Sequence, residues 1–572
     1  VYSLFFSLTF LLEKITFMLL NIEFIKPPVR PKSVHRGENA VGANAVRGLE
    51  PRALKREVIP LNAWARLLLE LCGDPRTGGG RWAQALQRVS VVRTDTLRLL
   101  TMPELDDFLR RVGDTTARLI NMENYRRRRL FFEVGKIDCS WVSAWARRKA
   151  EYYSVYKLLG SANFHEACRL ISDQWRSFVG LLRAAKEGRL EPWQRVRPPG
   201  YRKDRDGQRV PIIIVRFDNY RVDLKRGTLH LRYWNVEIPF TGKPRWLAKP
   251  GAKQGRLVVT YDPVKKRWYA RVSVEVALES KLNVSGLKAG IDLGRERLIA
   301  LVTEPLSESG EGVALLYRGG PLKSDYLYFE RRIAKIDKML SDPKLEEVDR
   351  AVLKEIRKRF YEKRKKRRNQ LFANSAAHLI RVCEELGVAV LLIGYPRGIA
   401  QDKPGKGNTN LWSYRQLEQR IAVTAENRGI PAFEIPEDGT SKKCARHGCE
   451  VVRGPRGLVK CPYGHAMHSD INAAMNILAR GGGKVPTRVK VLSFIPTASK
   501  VIAVNGKKKN SNPAQRRGNL DGARARAQAR RCEHLAASTR PSPAALELTE
   551  LINGKRKKKD KVVKLLLKDF GF

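Results

Sequence analysis

The chemistry-bearing residues of this chain crowd into one short stretch. Cys444, His447, Cys449, Cys461, His465 and His468 are followed at once by Asp470. Thiolates and imidazoles at such spacing suit a tetrahedral zinc ion, with two tight knuckles each giving two ligands across the basic, Gly/Pro-punctuated turn 452–457. Cys444 and Cys461 anchor the knuckles, but the spacing within each is irregular. Because thiolates hold zinc best, Cys449 is chosen over His447, and His465 over His468 because it completes the nearer knuckle. The expected metal set is therefore Cys444, Cys449, Cys461 and His465. Asp470 opens a helix over 471–479 whose Ala473 and Ala474 would let it lie close against a sheet. A second carboxylate, Asp292, sits in Gly290-Ile291-Asp292-Leu293-Gly294, inside an apolar strand where an ionised group is costly unless something compensates it. A divalent cation is the simplest compensation, and the two aspartates together point to metal-assisted phosphodiester chemistry.

Charge bounds the partner. Lys and Arg number 110 against 58 Asp and Glu among 572 residues, a formal net charge of +52. Such an excess calls for a polyanion, and nucleic acid fits better than a membrane because no stretch of about 20 apolar residues occurs. The apolar run 1–12 is interrupted by Glu13 and Lys14 and lacks the basic leader of a secretory signal, so it reads as an amphipathic extension. Eight cysteines are too sparse for a disulfide scaffold in a chain this long, which fits a reducing, cytoplasmic setting. Cys72, Cys139, Cys168, Cys383 and Cys532 are given no role.

The elements that must hold these residues follow from periodicity. Residues 1–60 are Pro-punctuated and read as a poorly ordered extension. A helical pattern runs over 61–195; within it a helix over 141–159, stopped by Gly160, mixes Trp141, Trp145, Tyr152, Tyr153 and Tyr156 with Arg147, Arg148 and Lys149. That mixture suits either base stacking or a buried aromatic stripe. The run 126–129 reads as a solvated helix face. After a linker at 194–209 the period changes to two, with strands at 212–217, 228–234, 236–240, 256–261 and 268–276, a small barrel over 205–282. Then come a strand-turn-strand at 289–302, two antiparallel helices in 324–386, an apolar strand at 388–393, a helix at 412–429 and a strand at 431–435. This order gives an α/β core on one sheet.

Gly290-Ile291-Asp292-Leu293-Gly294, the strand 388–393, Thr440-Ser441-x-x-Cys444 and Asp470-Ile471-Asn472-Ala473-Ala474-x-Asn476-Ile477 together resemble a RuvC-like (RNase H-like) nuclease domain interrupted by a zinc ribbon. The arrangement is similar to the TnpB (OrfB) proteins of insertion sequences and to type V CRISPR effectors. The resemblance implies a multidomain α/β protein: a helical recognition lobe at 61–195, a β-barrel wedge domain at 205–282 and a RuvC-like domain at 287–440 with a helical insertion at 324–386. It places the zinc ribbon at 441–468, the last RuvC-like segment at 469–480 and a basic tail at 481–572. It implies an RNA-guided, magnesium-dependent DNA endonuclease of a transposable element, with a guide RNA and target DNA as partners and Mg2+ and Zn2+ as cofactors. A cleavage-inactive guided binder, a type V effector and a structural RNA-binding accessory protein are the alternatives.

One departure decides among them. Most of the family ends the strand matching 388–393 with a glutamate, where this chain has Gly394-Tyr395-Pro396. Some members lacking that glutamate resemble this chain in carrying an acid after the next strand, and Glu437 matches it best. A group on a neighbouring strand end, about 4.8 Å away, can reach the same metal. The catalytic set implied is Asp292, Glu437 and Asp470, with Glu434 and Asp438 as lesser candidates.

Overall fold

The computed structural model describes residues 58–72, 88–188, 190, 194–204, 207–279, 286–395 and 413–504. Nearly all of the expected extension, the chain beyond 504, Cys532 and the side chain of Cys72 lie outside the described residues.

Strand β1 (Ile59–Pro60) leads into helix α1 (Ala63–Cys72), and then β2 (Arg88–Leu99) overturns the expectation of unbroken helix over 61–195. Val91, Asp95, Leu97 and Leu99 are its buried positions, all odd-numbered, and β-branched Val and Thr fill the row. That period of two belongs to a strand. Helices α2 (Pro103–Val134), α3 (Trp141–Ala146) and α4 (Tyr153–Lys186) follow. The helix expected over 141–159 is split between α3 and the first part of α4, and the expected stop at Gly160 is met: its φ of 74° and ψ of 162° are non-helical, so α4 is two helical segments joined by a kink there. The kink seats a ring: a Cβ at Gly160 would come 2.4 Å from Tyr233. The Tyr233 hydroxyl donates to the Lys157 carbonyl (2.7 Å) and Trp234 Nε1 to that of Leu158 (2.9 Å), so the carbonyls next to the break find donors.

Two further expectations change in this region. The basic run 126–129 is a solvated face only in part: Arg129 is exposed, but Arg127 is fully buried and donates to the carbonyls of Asp138 (3.0 Å) and Ser140 (2.8 Å), while Arg126 pairs with Asp138. The aromatic stripe is mostly internal packing: Tyr152 is buried with its hydroxyl on Glu123 (2.7 Å), and Trp145 meets Tyr156 and Phe164. Tyr153 alone of that group is exposed by about half, at 52%.

Strands β3 (Ile212–Val215), β4 (Tyr220–Asp223), β5 (Thr228–Leu231), β6 (Val236–Thr241), β7 (Lys253–Asp262) and β8 (Arg267–Glu279) form a sheet ordered β3-β7-β8-β2-β6-β5-β4. The strand β2 lies between β8 and β6, antiparallel to β8 from Arg88 opposite Glu279 to Arg98 opposite Tyr269. The set expected over 205–282 is thus completed from upstream.

The larger sheet is mixed and has eight strands. It uses β9 (Leu287–Asp292), β10 (Arg297–Thr303), β11 (Glu311–Arg318), β12 (Val388–Tyr395), β13 (Ala432–Pro436), β17 (Arg488–Pro496) and β18 (Val501–Ala503), in the order β1-β13-β12-β9-β10-β11-β17-β18. Between β11 and β12, α5 (Gly320–Leu340) and α6 (Glu347–Glu385) form the expected antiparallel pair, tied by Arg357–Asp337 (2.6 Å) and Arg367–Asp325 (2.8 Å). The C-terminal half of α6 and α7 (Tyr414–Glu426) cover one face of the sheet, with Leu379, Cys383, Leu417 and Ile421 packed on Ile291 and Ile393. Helix α8 (Ser469–Arg480) covers the other, where Ile471, Ala474 and Met475 meet Ala300 and Val302. Small residues permit that contact: a Cβ on Gly290 of β9 would lie 2.3 Å from the Ala474 carbonyl. Residues 481–504, expected as the start of a tail, instead return along β11 as β17 and β18.

The Cys/His segment lies between β13 and α8 and forms a small sheet of β14 (Val452–Arg453), β15 (Leu458–Lys460) and β16 (Ala466–His468). Among the described residues no helix is long and apolar enough to cross a membrane.

Candidate active site

Asp292 is the last residue of β9, opposite Ala300 of β10, and only 8% of it is exposed. Burial pushes its carboxyl well above the ordinary range, and the negative charges of Glu437 and Asp470 push it further. Glu437 and Asp470, distant in sequence from Asp292, thus both lie close enough to act on its charge.

Glu437 follows directly on β13, the parallel neighbour of β12. Its carboxyl is pushed up to about 7, by burial first and by Asp438 second, with Arg480 acting against both. Its Oε2 is shielded from solvent and has no hydrogen-bond partner. A buried carboxylate oxygen left this way is costly, and a cation would relieve it. Gly394 explains how Glu437 fits: it lies opposite Ile435 on β12, and a Cβ there would come 3.1 Å from Glu437 Oε2 and 2.4 Å from Ile477 Cδ1. The missing side chain on one strand leaves the room that the glutamate from the next strand uses.

Asp470 stands in the first turn of α8, where the helix dipole favours a negative charge. Its backbone N–H donates to His468 Nδ1 (3.2 Å), and Ser469 Oγ donates to its Oδ1 (3.0 Å). His468 thus caps the helix.

The lesser candidates behave differently. Glu434 is buried and paired with Arg415 (2.6 Å), which also holds Glu418 (2.7 Å) and lies 3.8 Å over the Tyr395 ring. Burial pushes Glu418 up to about 8, against the pull of Arg415 and with Glu434 adding its charge. Asp438 is exposed. Sequence reading also missed Tyr414, at the start of α7, whose hydroxyl is pushed up to about 12 by burial and then by Glu437 and Asp292. No periodicity marks that residue; only its place at the first position of the helix does.

In the Cys/His segment, Cys444, His447, Cys461 and His465 present ligand atoms that all lie within 4.8 Å of one another. His447 and His465 stack at 4.6 Å with their planes 6° apart. Cys449 Sγ lies 3.3 Å from Cys461 Sγ but outside that mutually close set, in which His447 stands where Cys449 was expected. Thiols and imidazoles in such a cluster suit zinc. Cys168 and Cys383 are buried in the core and Cys139 is partly so, all three as free thiols.

The OrfB_IS605 model, described as a probable transposase, matches residues 271–400. The model of the Cas12f1-like TNB domain matches residues 414–477. A TnpB-like protein, ORF457, of Acidianus two-tailed virus is 37% identical over 437 residues, spanning 72% of this chain and 92% of that protein. Among solved structures, the chain is similar to a Cas12f1–sgRNA–target DNA complex (TM-score 0.41, 15% identity, 66% of this chain and 83% of that one). It is also similar to the mini-RNA-guided endonuclease CRISPR-Cas_phi3 (TM-score 0.37, 12% identity, 74% and 97%).

Proposed function

Since the chain belongs to the TnpB-like family of probable transposases, we propose that it is an RNA-guided DNA endonuclease whose cutting site is Asp292, Glu437 and Asp470. The observation that carries this reading is the shielded, unpartnered Oε2 of Glu437, in the space that Gly394 leaves beside it. Two further acids, Asp292 and Asp470, complete an oxygen-rich set of the kind hard divalent ions require. Magnesium held there would supply the charge that activates a water and stabilises the leaving oxygen. The protein's own part is placement. Strand β9 fixes Asp292, the β13 exit fixes Glu437, and the packing of α8 on Gly290 fixes Asp470. The raised proton affinity of Glu437 means that a cation bound there displaces protons near neutral pH.

In this reading the eight-stranded sheet with α5–α8 is the RuvC-like domain, the seven-stranded sheet is the wedge domain and α2–α4 form the recognition lobe. The net charge of +52 supplies phosphate affinity. Exposed rings beside cations, Tyr153 with Lys157 (5.6 Å) and Tyr125 with Arg129 (6.0 Å), suit contact with bases and backbone of a guide RNA or its duplex. Zinc would take Cys444, Cys461 and His465, and its fourth ligand is Cys449 by affinity or His447 by distance. Zinc content measured in Cys449→Ser and His447→Ala decides between them.

Protein purified with its bound RNA should cut DNA matching that RNA in Mg2+ and not in EDTA, and Asp292→Ala should bind the same DNA without cutting it. Gly394 itself favours a second reading, a guided binder that does not cut. Wild-type protein that binds matched DNA in Mg2+ and leaves it intact would establish that one.

A further inference from the structure

Helix α8 carries more than Asp470. Asn472, Asn476 and Arg480 recur at every fourth position and so share one face of the helix. All three reach backbone of the segment 436–445, which holds both Glu437 and the first Cys/His ligand. Arg480 donates to the carbonyls of Pro436 (2.8 Å) and Asp438 (2.5 Å), the residues on either side of Glu437. Asn472 treats Cys444 the same way: its Nδ2 donates to the Lys443 carbonyl (2.7 Å) and its Oδ1 accepts from the Ala445 N–H (3.0 Å). Between them, Asn476 Nδ2 donates to the carbonyls of Thr440 (2.7 Å) and Lys443 (2.8 Å). The loop itself is turned by Thr440 N–H on the Glu437 carbonyl (3.0 Å) and Lys442 N–H on that of Gly439 (3.0 Å).

Metal binding alone does not require this pattern. A loop needing only to end β13 could satisfy its carbonyls with water, because Arg480 is exposed and Asn476 half-buried. Instead one helix brackets the glutamate at one end and the cysteine at the other, while its first turn supplies the third acid. We propose that Asn472, Asn476 and Arg480 are positioning residues that fix Glu437 against Asp292 and Asp470, and that they couple the folded Cys/His knuckle to the cation affinity of the carboxylate site. The proposal rests on the reading of Asp292, Glu437 and Asp470 as the cation-holding set. Zinc's contribution to cutting is then indirect: it stiffens the Cys444 end of the segment, and the polar face of α8 carries that order to Glu437.

The test uses the full chain with its bound RNA and reads Mn2+ binding by the loss of the free-ion electron paramagnetic resonance signal, without any cleavage step. Arg480→Ala and Asn476→Ala should each raise the Mn2+ concentration for half-occupancy about tenfold, with binding to matched DNA unchanged. Arg480→Lys, which keeps a donor, should recover most of the loss. Stripping zinc from the wild type with a chelator should give a similar rise, and stripping it from Asn476→Ala should add little, because the link is already cut. Wild-type Mn2+ affinity in Arg480→Ala, whose exposed side chain makes misfolding a poor excuse, would overturn the proposal. So would a chelator effect that adds in full to Asn476→Ala. Glu437→Ala separates the two levels: intact Mn2+ binding there sinks the underlying site, whereas lost binding there with unaffected Arg480→Ala sinks only the positioning role.

Discussion

Two acid clusters meet the same strand three residues apart, at Glu434 and Glu437, and they differ in what balances them. Glu434 shares Arg415 with Glu418, so a guanidinium from within the fold balances two carboxylates. Asp292 feels burial first and then the charges of Glu437 and Asp470, with only Arg480 acting against Glu437. A balanced cluster holds α7 to the sheet. The Glu437 cluster has only Arg480 against it and is relieved by protonation or by positive charge from outside, which suits the metal chemistry proposed for it.

Substitution should break the two clusters differently. Asp470→Ala should reduce cutting by about a thousandfold or more, on the scale of losing one member of a group that acts as a unit, while leaving the melting temperature nearly unchanged. Glu434→Ala should do the reverse: about 1–3 kcal/mol of stability lost in a denaturant titration, with near-normal cutting by the protein that remains folded. Equal effects on cutting from both would erase the distinction.

A second test moves the acid between strands. Gly394→Glu combined with Glu437→Ala should restore part of the lost cutting, because the two positions open onto the same space. Gly394→Ala alone should cost roughly 1–3 kcal/mol in thermal or denaturant unfolding, since its Cβ lands on Ile477 and crowds Glu437.

Protonation separates the clusters more gently. A carboxyl raised in the folded state binds more protons than it does unfolded, so stability is highest at low pH and falls as pH rises from the unfolded value towards the folded one. For Glu437 that window runs from its ordinary 4.5 to about 7. Metal-free protein should melt roughly 2–4 °C lower at pH 8 than at pH 5 relative to Glu437→Gln, and Mg2+ at pH 8 should return the difference. Glu418, raised to about 8, should contribute a decline of the same sign that Mg2+ does not touch. Calorimetry with and without Mg2+ reads both.

Much of this was legible before the structure. Asp292 stands in a distinctive apolar strand and Asp470 opens a helix of small residues, and the alternation of strands and helices from 289 to 480 is strong enough to give the sheet and its covering helices. The strand β2 was missed because it precedes a long helical stretch, although its alternation of Val91, Asp95, Leu97 and Leu99 carried the signal. Strands β17 and β18 are largely exposed despite apolar residues, and are ordered by pairing, β17 with β11 and β18 with β17. Arg127 sits in a charge run that looks solvated, and only the tertiary carbonyls of Asp138 and Ser140 bury it. The bracketing of Glu437 by Arg480 was out of reach because the acceptors are backbone groups, which leave no mark on sequence.

The most direct test of the account is the cutting of matched DNA by Glu437→Ala with its bound RNA in saturating Mg2+, measured beside the affinity of the same protein for that DNA. The account predicts that cutting falls by about a thousandfold or more while affinity stays at the wild-type level. Cutting at a rate near that of the wild type would show that Glu437 does not stand in for the glutamate missing at Gly394.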